Sequence, residues 1–353
     1  MKRLFVILQA LICFAISTQA QTQVSTFNPA VTAEGVTYAL PKTMLKVRAE
    51  GIKTTFTPGE FAPYAERYLH LGNAGTKTQT RYEFTSLQVS PEGIPDTTKL
   101  YTIRLKGRTI APLVELDERG ILLSINHSEP TKAQLQQNSA NIQTHNALDS
   151  RKFLTEEILT ATSSAKMAEL TAAEIYEIRE SRNSIMRGQV ESMPKDGESF
   201  RIVINQLNEQ EAALLQLFTG YTDTVSIHND YTYAVGEDVS GEVLFRFSNH
   251  FGFVDADDLS GDPIKLSAKN LHAVPLPTEA EKAKRKLDGV VYNMPGAAQV
   301  AITFNQQTLF DKELPIAQLG TTDILPAALF NKDATTQVKF DGATGAVLQC
   351  VAK

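Results

Sequence analysis

The chain has 353 residues, 42% apolar and 21% charged, the balance of a folded protein long enough for two or three domains with their own cores. That excludes disorder, collagen and a multi-span membrane protein. With 34 Lys and Arg against 40 Asp and Glu the formal charge is -6, so the molecule offers no general positive field and nucleic acid is not expected as a partner. Trp is absent, so any platform for stacking sugars would be built from the 10 Tyr and 17 Phe.

Met1-Lys2-Arg3 forms a positive n-region, Leu4 to Ile16 an apolar h-region, and Thr18-Gln19-Ala20 a small-residue cleavage site. Residues 1–20 are therefore read as a signal peptide, with a mature chain from Gln21, soluble and exported to the periplasm or to the outer membrane. Ile12, directly before Cys13, is too large for lipoprotein processing. The h-region is shorter than the roughly 20 apolar residues that span a bilayer, and no later stretch reaches that length. Cleavage removes two basic residues and no acidic one, moving the charge to about -8. It also removes Cys13, which leaves Cys350 without an intramolecular partner. Cys350 is expected as a small buried hydrophobe in the last strand.

Residues 21–128 read as a β-rich N-terminal domain. Leu45, Val47 and Ala49 alternate with Lys46, Arg48 and Glu50, and Tyr101, Ile103 and Leu105 with Thr102, Arg104 and Lys106, the period of a sheet with one wet face. Phe61, Tyr64 or Ala65, Tyr68 and Leu69 share one side of a short helix or turn. Val114 to Ile125 reads as a hairpin turning at Asp117-Glu118-Arg119-Gly120. Residues 129–150, opening on an aperiodic polar run, read as a linker.

Residues 151–220 carry a helical pattern. Thr171-Ala172-Ala173-Glu174 fits a capping box with Gly188 as the stop, and a second helix is expected from Asn208 to Gly220, with Glu211 in the box position. Leu214, Leu215, Leu217 and Phe218 would pack the two together. Residues 221–353 return to strands and read as a β-sandwich-like C-terminal domain. Val243, Phe245 and Phe247, then Val300, Ile302 and Phe304, mark inward faces, and a hairpin crosses Asp341 to Gly345. The charged run from Glu279 to Lys286 reads as a solvated connection. Both β regions end in strand, Asp-to-Gly turn and strand, at Asp117 and Asp341, which hints at a duplicated β unit. The fold class expected is α+β.

Candidate chemistry is sparse. Ser163-Ser164-Ala165-Lys166 and Ser181-Arg182-Asn183 match two elements of penicillin-binding enzymes, but the helix is expected to start after Lys166 and no Lys-Thr-Gly or Lys-Ser-Gly follows. Asp255, Asp257, Asp258 and Asp262, beside His250, form an oxygen-rich loop that would suit calcium. EF-hand spacing fails at Leu259, and a plain acidic turn is the simpler reading. No other cofactor is expected. Arg182 interrupts an apolar helix stripe, so its guanidinium pairs with an acid such as Glu211 or lines a ligand cavity; the ion pair is preferred. Glu177, Arg179 and Glu180 are expected on the wet face. His-Glu-x-x-His, Gly-x-Ser-x-Gly, Cys-x-x-Cys, P-loop and Gly-x-Gly-x-x-Gly motifs are all missing, and no catalytic residue is assigned. Paired carboxylates for glycoside hydrolysis stay open, since such partners need not be close in sequence.

Several stretches together resemble a known family. They are Gly35-Val36-Thr37-Tyr38-Ala39-Leu40-Pro41-Lys42, Phe61 to Tyr68, Glu174 to Asn183, Asp257-Asp258-Leu259-Ser260-Gly261-Asp262-Pro263, and Leu314 to Gly320. The family is that of exported proteins of Bacteroides-like bacteria grouped as domain of unknown function 4831. The resemblance implies a Gram-negative envelope location and carries over no catalytic residues. The expected function is a non-catalytic module that binds another envelope component, protein or glycan. The alternative is a periplasmic hydrolase of glycan or peptide substrates.

Overall fold

The computed structural model describes residues 23–27, 35–104, 114–127, 143–189, 197–236, 238–278, 289–330 and 336–352. The expected signal peptide, most of the polar linker and the charged connection at 279–286 lie outside these residues.

The chain is mostly β, in three antiparallel sheets. The first has the order β1 (Gln23–Thr26), β3 (Gln79–Arg104), β2 (Val36–Thr57), β7 (Tyr221–Ala234), β6 (Gln143–Thr144). The second runs β12 (Gln307–Pro326), β11 (Gly289–Phe304), β10 (Asp262–Asn270), β8 (Val239–Ser248), β9 (Gly252–Val254). The third is β14 (Val347–Val351), β13 (Gln337–Phe340), β5 (Leu122–Ile125), β4 (Val114–Leu116).

The sheets cross the boundaries read from sequence. β7 adds to β2 from Met44 opposite Ala234 to Thr57 opposite Tyr221, and β5 pairs with β13 through Ile125 and Val338. The sandwich expected of the C-terminal stretch is thus built from both β-rich stretches. Leu45, Val47 and Ala49 of β2 face Phe245 and Phe247 of β8, Ile264 and Leu266 of β10, and Val300 and Ile302 of β11. Period-two alternation places each set on the dry face, and burying a side chain of this size contributes about 1.5–3 kcal/mol. A second core lies under the third sheet, where Tyr38, Leu40 and Ile103 meet Leu122, Ile125, Val290, Val338 and Phe340.

The duplication hinted at by the two hairpins extends to the long strands. Gly35-Val36-Thr37-Tyr38-Ala39-Leu40-Pro41 opens β2, and Gly289-Val290-Val291-Tyr292-Asn293-Met294-Pro295 opens β11, sharing Gly, Val, Tyr and Pro at the same spacing. Gly35 and Gly289 have φ of +151° and +155°, and a Cβ on either would collide with the carbonyl of the neighbouring strand, Ile103 and Leu325 respectively. Pairing then slips by the same amount, one position later in the second copy: from Ala39 opposite Leu100 to Pro41 opposite Pro95, and from Met294 opposite Thr321 to Gly296 opposite Ile316. Two residues face five each time. The hairpin turn docks on the same atom in each copy, Ala39 N donating to Gly120 O at 2.9 Å and Asn293 N to Gly345 O at 3.1 Å.

The copies differ in the connection between their long strands. In the second it is the turn Asn305-Gln306, and in the first it spans 58–78, with the short helix α1 (Ala65–Leu69). Phe61, Ala65 and Leu69 there bury against α3 (Ser164–Met186) and α4 (Gly197–Thr219), with α2 (Glu156–Leu159) preceding α3. Both long helices start earlier than read from sequence. Ser163 caps α3, its Oγ accepting from Lys166 N at 3.3 Å, while Thr171 lies inside the helix and satisfies its hydroxyl by donating to Met167 O at 2.8 Å. Asn208 lies in the middle of α4. The stops at Gly188 and Gly220 agree with the observed ends. Cys350 lies in the last strand as expected but is exposed, because β14 is an edge with a neighbour on one side only.

At the slipped registers the two copies are tied by buried polar groups. Thr43 donates its hydroxyl to Ala343 O and accepts from Ala317 N, both at 3.0 Å. Gln318 accepts from Thr43 N at 2.9 Å and donates to Thr43 O and Val235 O, both at 2.8 Å. Asn293 donates to Pro41 O at 2.9 Å and Thr344 O at 2.8 Å. The Tyr38 hydroxyl accepts from Val291 N and donates to Val291 O, both at 3.0 Å, and burial pushes its pKa well up. Thr43→Val keeps the shape but strands the Ala317 N–H and the Ala343 carbonyl. At about 1–3 kcal/mol for each buried orphan, urea unfolding of this variant is expected to show a loss of about 2–4 kcal/mol at unchanged m.

Candidate functional site

One end of the sandwich is closed by turns over a floor of rings. Phe84 of β3 lies 5.6 Å from Phe247 and 5.4 Å from Phe304, centre to centre, and Phe247 lies 5.2 Å from Phe253. Above them opens a cleft of about 610 Å³ whose rim carries Arg81, Glu83, Ser248, His250, Asp262 and Asn305. The rings belong to strands whose alternation points them inward; Ser248, His250, Asp262 and Asn305 sit at or beside turns, and Arg81 and Glu83 alternate with Tyr82 and Phe84 along β3.

The turns are braced by bonds to backbone. Tyr82 N donates to Asn249 O at 2.9 Å, holding the β8–β9 turn against β3. Arg246 reaches under the β9–β10 loop, its Nε donating to Ala256 O at 2.8 Å and its Nη1 to Gly261 O at 3.2 Å. Asp258 accepts from Ser260 N at 2.9 Å, and hydrogen bonds from Ser260 together with the Arg246 charge lower its pKa. Asn305 Nδ2 donates to Asp262 Oδ2 at 3.2 Å, joining the second copy's short turn to the loop.

The structure brings two of the sequence candidates, His250 and Asp262, into this cleft. Asp255, Asp257 and Asp258 are exposed along the loop and do not line it. Among the described residues no group of three or more His, Cys, Asp or Glu side chains is placed to hold a metal ion, and within the loop Asp258 accepts from Ser260 N the local bond that an Asx-rich turn makes.

Arg182 lies apart, between α3 and α4. It pairs with Glu211 and donates to Asn208 Oδ1 at 2.9 Å. Arg179, expected on the wet face, turns inward and donates through Nε to the other Glu211 oxygen at 2.6 Å. The i, i+3 spacing of the two arginines was the available signal, since it puts both on one helix face opposite one carboxylate. Burial pushes the Glu211 pKa up, but the two guanidiniums outweigh it and hold the group below its ordinary value of 4.5. A second cleft, of about 630 Å³, lies between α2 and α3 and carries Glu156, Glu157, Glu174 and Glu177. Burial, reinforced by Glu177, raises the Glu174 pKa.

A family model described as domain of unknown function (DUF4831) matches residues 34–348. The chain belongs to this family. No curated protein and no solved structure matches it. The DUF4831 match spans both copies of the duplicated unit, the helical layer and every residue of the ring-floored cleft.

Two outcomes follow for this DUF4831 chain. A depressed folded pKa at Glu211 contributes stability above the unfolded value of 4.5 that is lost as pH falls through the folded value. The wild type is expected to lose stability on acidification below about pH 4.5 more steeply than Glu211→Gln does, read by urea titrations at stepped pH. Millimolar calcium is expected to leave the melting temperature unchanged; a rise reversed by chelator and absent in Asp262→Asn would instead support a calcium site.

Proposed function

We propose that the protein is an exported, non-catalytic binding module that takes a segment of another cell-envelope component into the cleft at the end of the sandwich. The observation that carries this reading is how the cleft is built. Its turns are fixed by Arg246 and by the Tyr82–Asn249 bond, so the site is preformed and little ordering entropy opposes a ligand. Its rings supply apolar contact, while amide, hydroxyl, imidazole and carboxylate groups surround it, the mixture that fixes a polar ligand's orientation. Export rests on the N-terminal pattern of Met1 to Ala20. Among the described residues no helix is long and apolar enough to cross a membrane.

A hydrolase of glycan or peptide substrates is the second reading, supported by the gathering of Glu83, His250 and Asp262 on one rim, which provides both acid and base groups. Turnover of such a substrate by purified protein, abolished in Asp262→Asn, would establish it in place of the binding reading.

The binding reading is tested in intact cells by placing a photo-cross-linking amino acid at His250 or, as a control, at the exposed Glu180 of α3. Capture of one reproducible envelope component from position 250 and not from 180 is the expected result. Equal capture at both positions, or none at 250, would overturn it.

A further inference from the structure

We propose that two copies of this chain join through β14, with Val347–Val351 of one pairing antiparallel with the same segment of the other, so that two four-stranded sheets become one of eight. Among the described residues β14 has a neighbour on one side only, from Gln337 opposite Val351 to Phe340 opposite Val347. Its other side is a sheet edge, a ready template for another strand. The side chains beside that edge are apolar and open to water: Leu348 is 61% exposed, Val351 40%, and Cys350 is exposed as well.

Edges that stay single are defended by charge, proline or brevity. The long edge β12 carries Asp311, Lys312, Glu313 and Pro315, and β4 is three residues long with Glu115 at its centre. β14, Val-Leu-Gln-Cys-Val, has neither charge nor proline.

The occupant that fits is the strand itself. Full antiparallel overlap sets Val347 against Val351, Leu348 against Cys350 and Gln349 against Gln349, so apolar meets apolar, amide meets amide, and no like charges oppose. For a molecule of formal charge -6, a neutral edge is where a second copy can approach without carboxylates facing one another. An isologous contact of this kind closes on itself and stops at two copies. The five-residue edge is small beside the roughly 1,600 Å² of a standard interface, so the dimer is reversible and concentration-dependent. In this register Cys350 faces Leu348, and the dimer is not covalent.

Sedimentation equilibrium of the purified chain, from about 1 to 200 μM and with reductant present, is expected to show monomer passing to dimer. Gln349→Glu sets two carboxylates face to face across the seam while standing opposite Lys339 within its own chain, and Leu348→Lys removes the largest apolar contact. Each is expected to raise the dimer dissociation constant at least about tenfold, while circular dichroism and melting temperature stay those of the wild type because both positions are exposed. Gln349→Cys in a Cys350→Ser background brings two thiols directly opposite, within the roughly 4.4–6.8 Å Cα separation that a disulfide needs, and is expected to cross-link under mild oxidation. A monomer throughout, or a dimer indifferent to both substitutions, overturns the proposal. A dimer sensitive to them that fails to cross-link overturns the antiparallel pairing it states.

Discussion

The polar waist formed by Thr43, Gln318, Asn293 and the 341–345 turn is the constraint on which the rest of the fold depends. Long twisted strands cannot keep one flat register through two cores, and here both long pairs slip at prolines, Pro41 opposite Pro95 and beside Pro295. Each slip puts three extra residues into the partner strand, with 96–99 of β3 and 317–320 of β12 each lying opposite a single residue of β2 or β11. Backbone groups released there have no ladder partners, and the side chains replace them. Gln318 satisfies groups on β2 and beyond the end of β7 at once. At the equivalent place in the first copy, Asp96 accepts from Thr98 N at 3.0 Å and from its hydroxyl at 2.7 Å, and lies 3.6 Å from the Lys42 ammonium. Without these groups the slips would leave buried orphans, and the two cores would lose their relative position.

Legibility from sequence followed burial period. The alternations at Leu45 to Ala49, Phe245 to Phe247 and Val300 to Phe304 mark inward faces because an antiparallel strand with one wet face must alternate, and these are in or against the main core; Val243, read with the second set, is not, since pairing shifts there and Leu244 packs on the core instead. What alternation does not encode is which sheet a strand joins, so β7 pairing with β2 was not readable from either strand alone. Helix starts were misplaced for a related reason: Thr171-Ala172-Ala173-Glu174 matches a capping box, yet Ser163 already caps the helix and tertiary packing of Ala168 carries it through. The Gly-Val-x-Tyr-x-x-Pro repeat was legible throughout, to a comparison of the chain with itself.

At the site, the sequence marked turn residues better than their partners. His250 and a nearby run of four Asp were marked, and of these His250 and Asp262 reach one cleft while Asp255, Asp257 and Asp258 do not line it. Arg246 does not stand out, because it occupies an ordinary polar position in an alternating strand. Its role comes from length: a guanidinium on β8 spans to two carbonyls of the β9–β10 loop, geometry that exists only once β9 has folded back on β8.

Duplication with divergence explains why an open cleft and a helical layer occur on one molecule. Both copies keep the same long pair, slip and docked hairpin, since these maintain the two cores. The connection between the long strands is outside that requirement and is free to change. In the second copy it shrank to Asn305-Gln306, which leaves Asn305 on the cleft rim and bonded to Asp262. In the first copy it grew into the segment whose Phe61 ring lies 5.6 Å from Phe218 and whose Phe61 N donates to Leu217 O at 2.7 Å, fastening the helices to the sheet. The shared parts therefore hold the molecule together, and the parts that differ between copies are where recognition is to be sought.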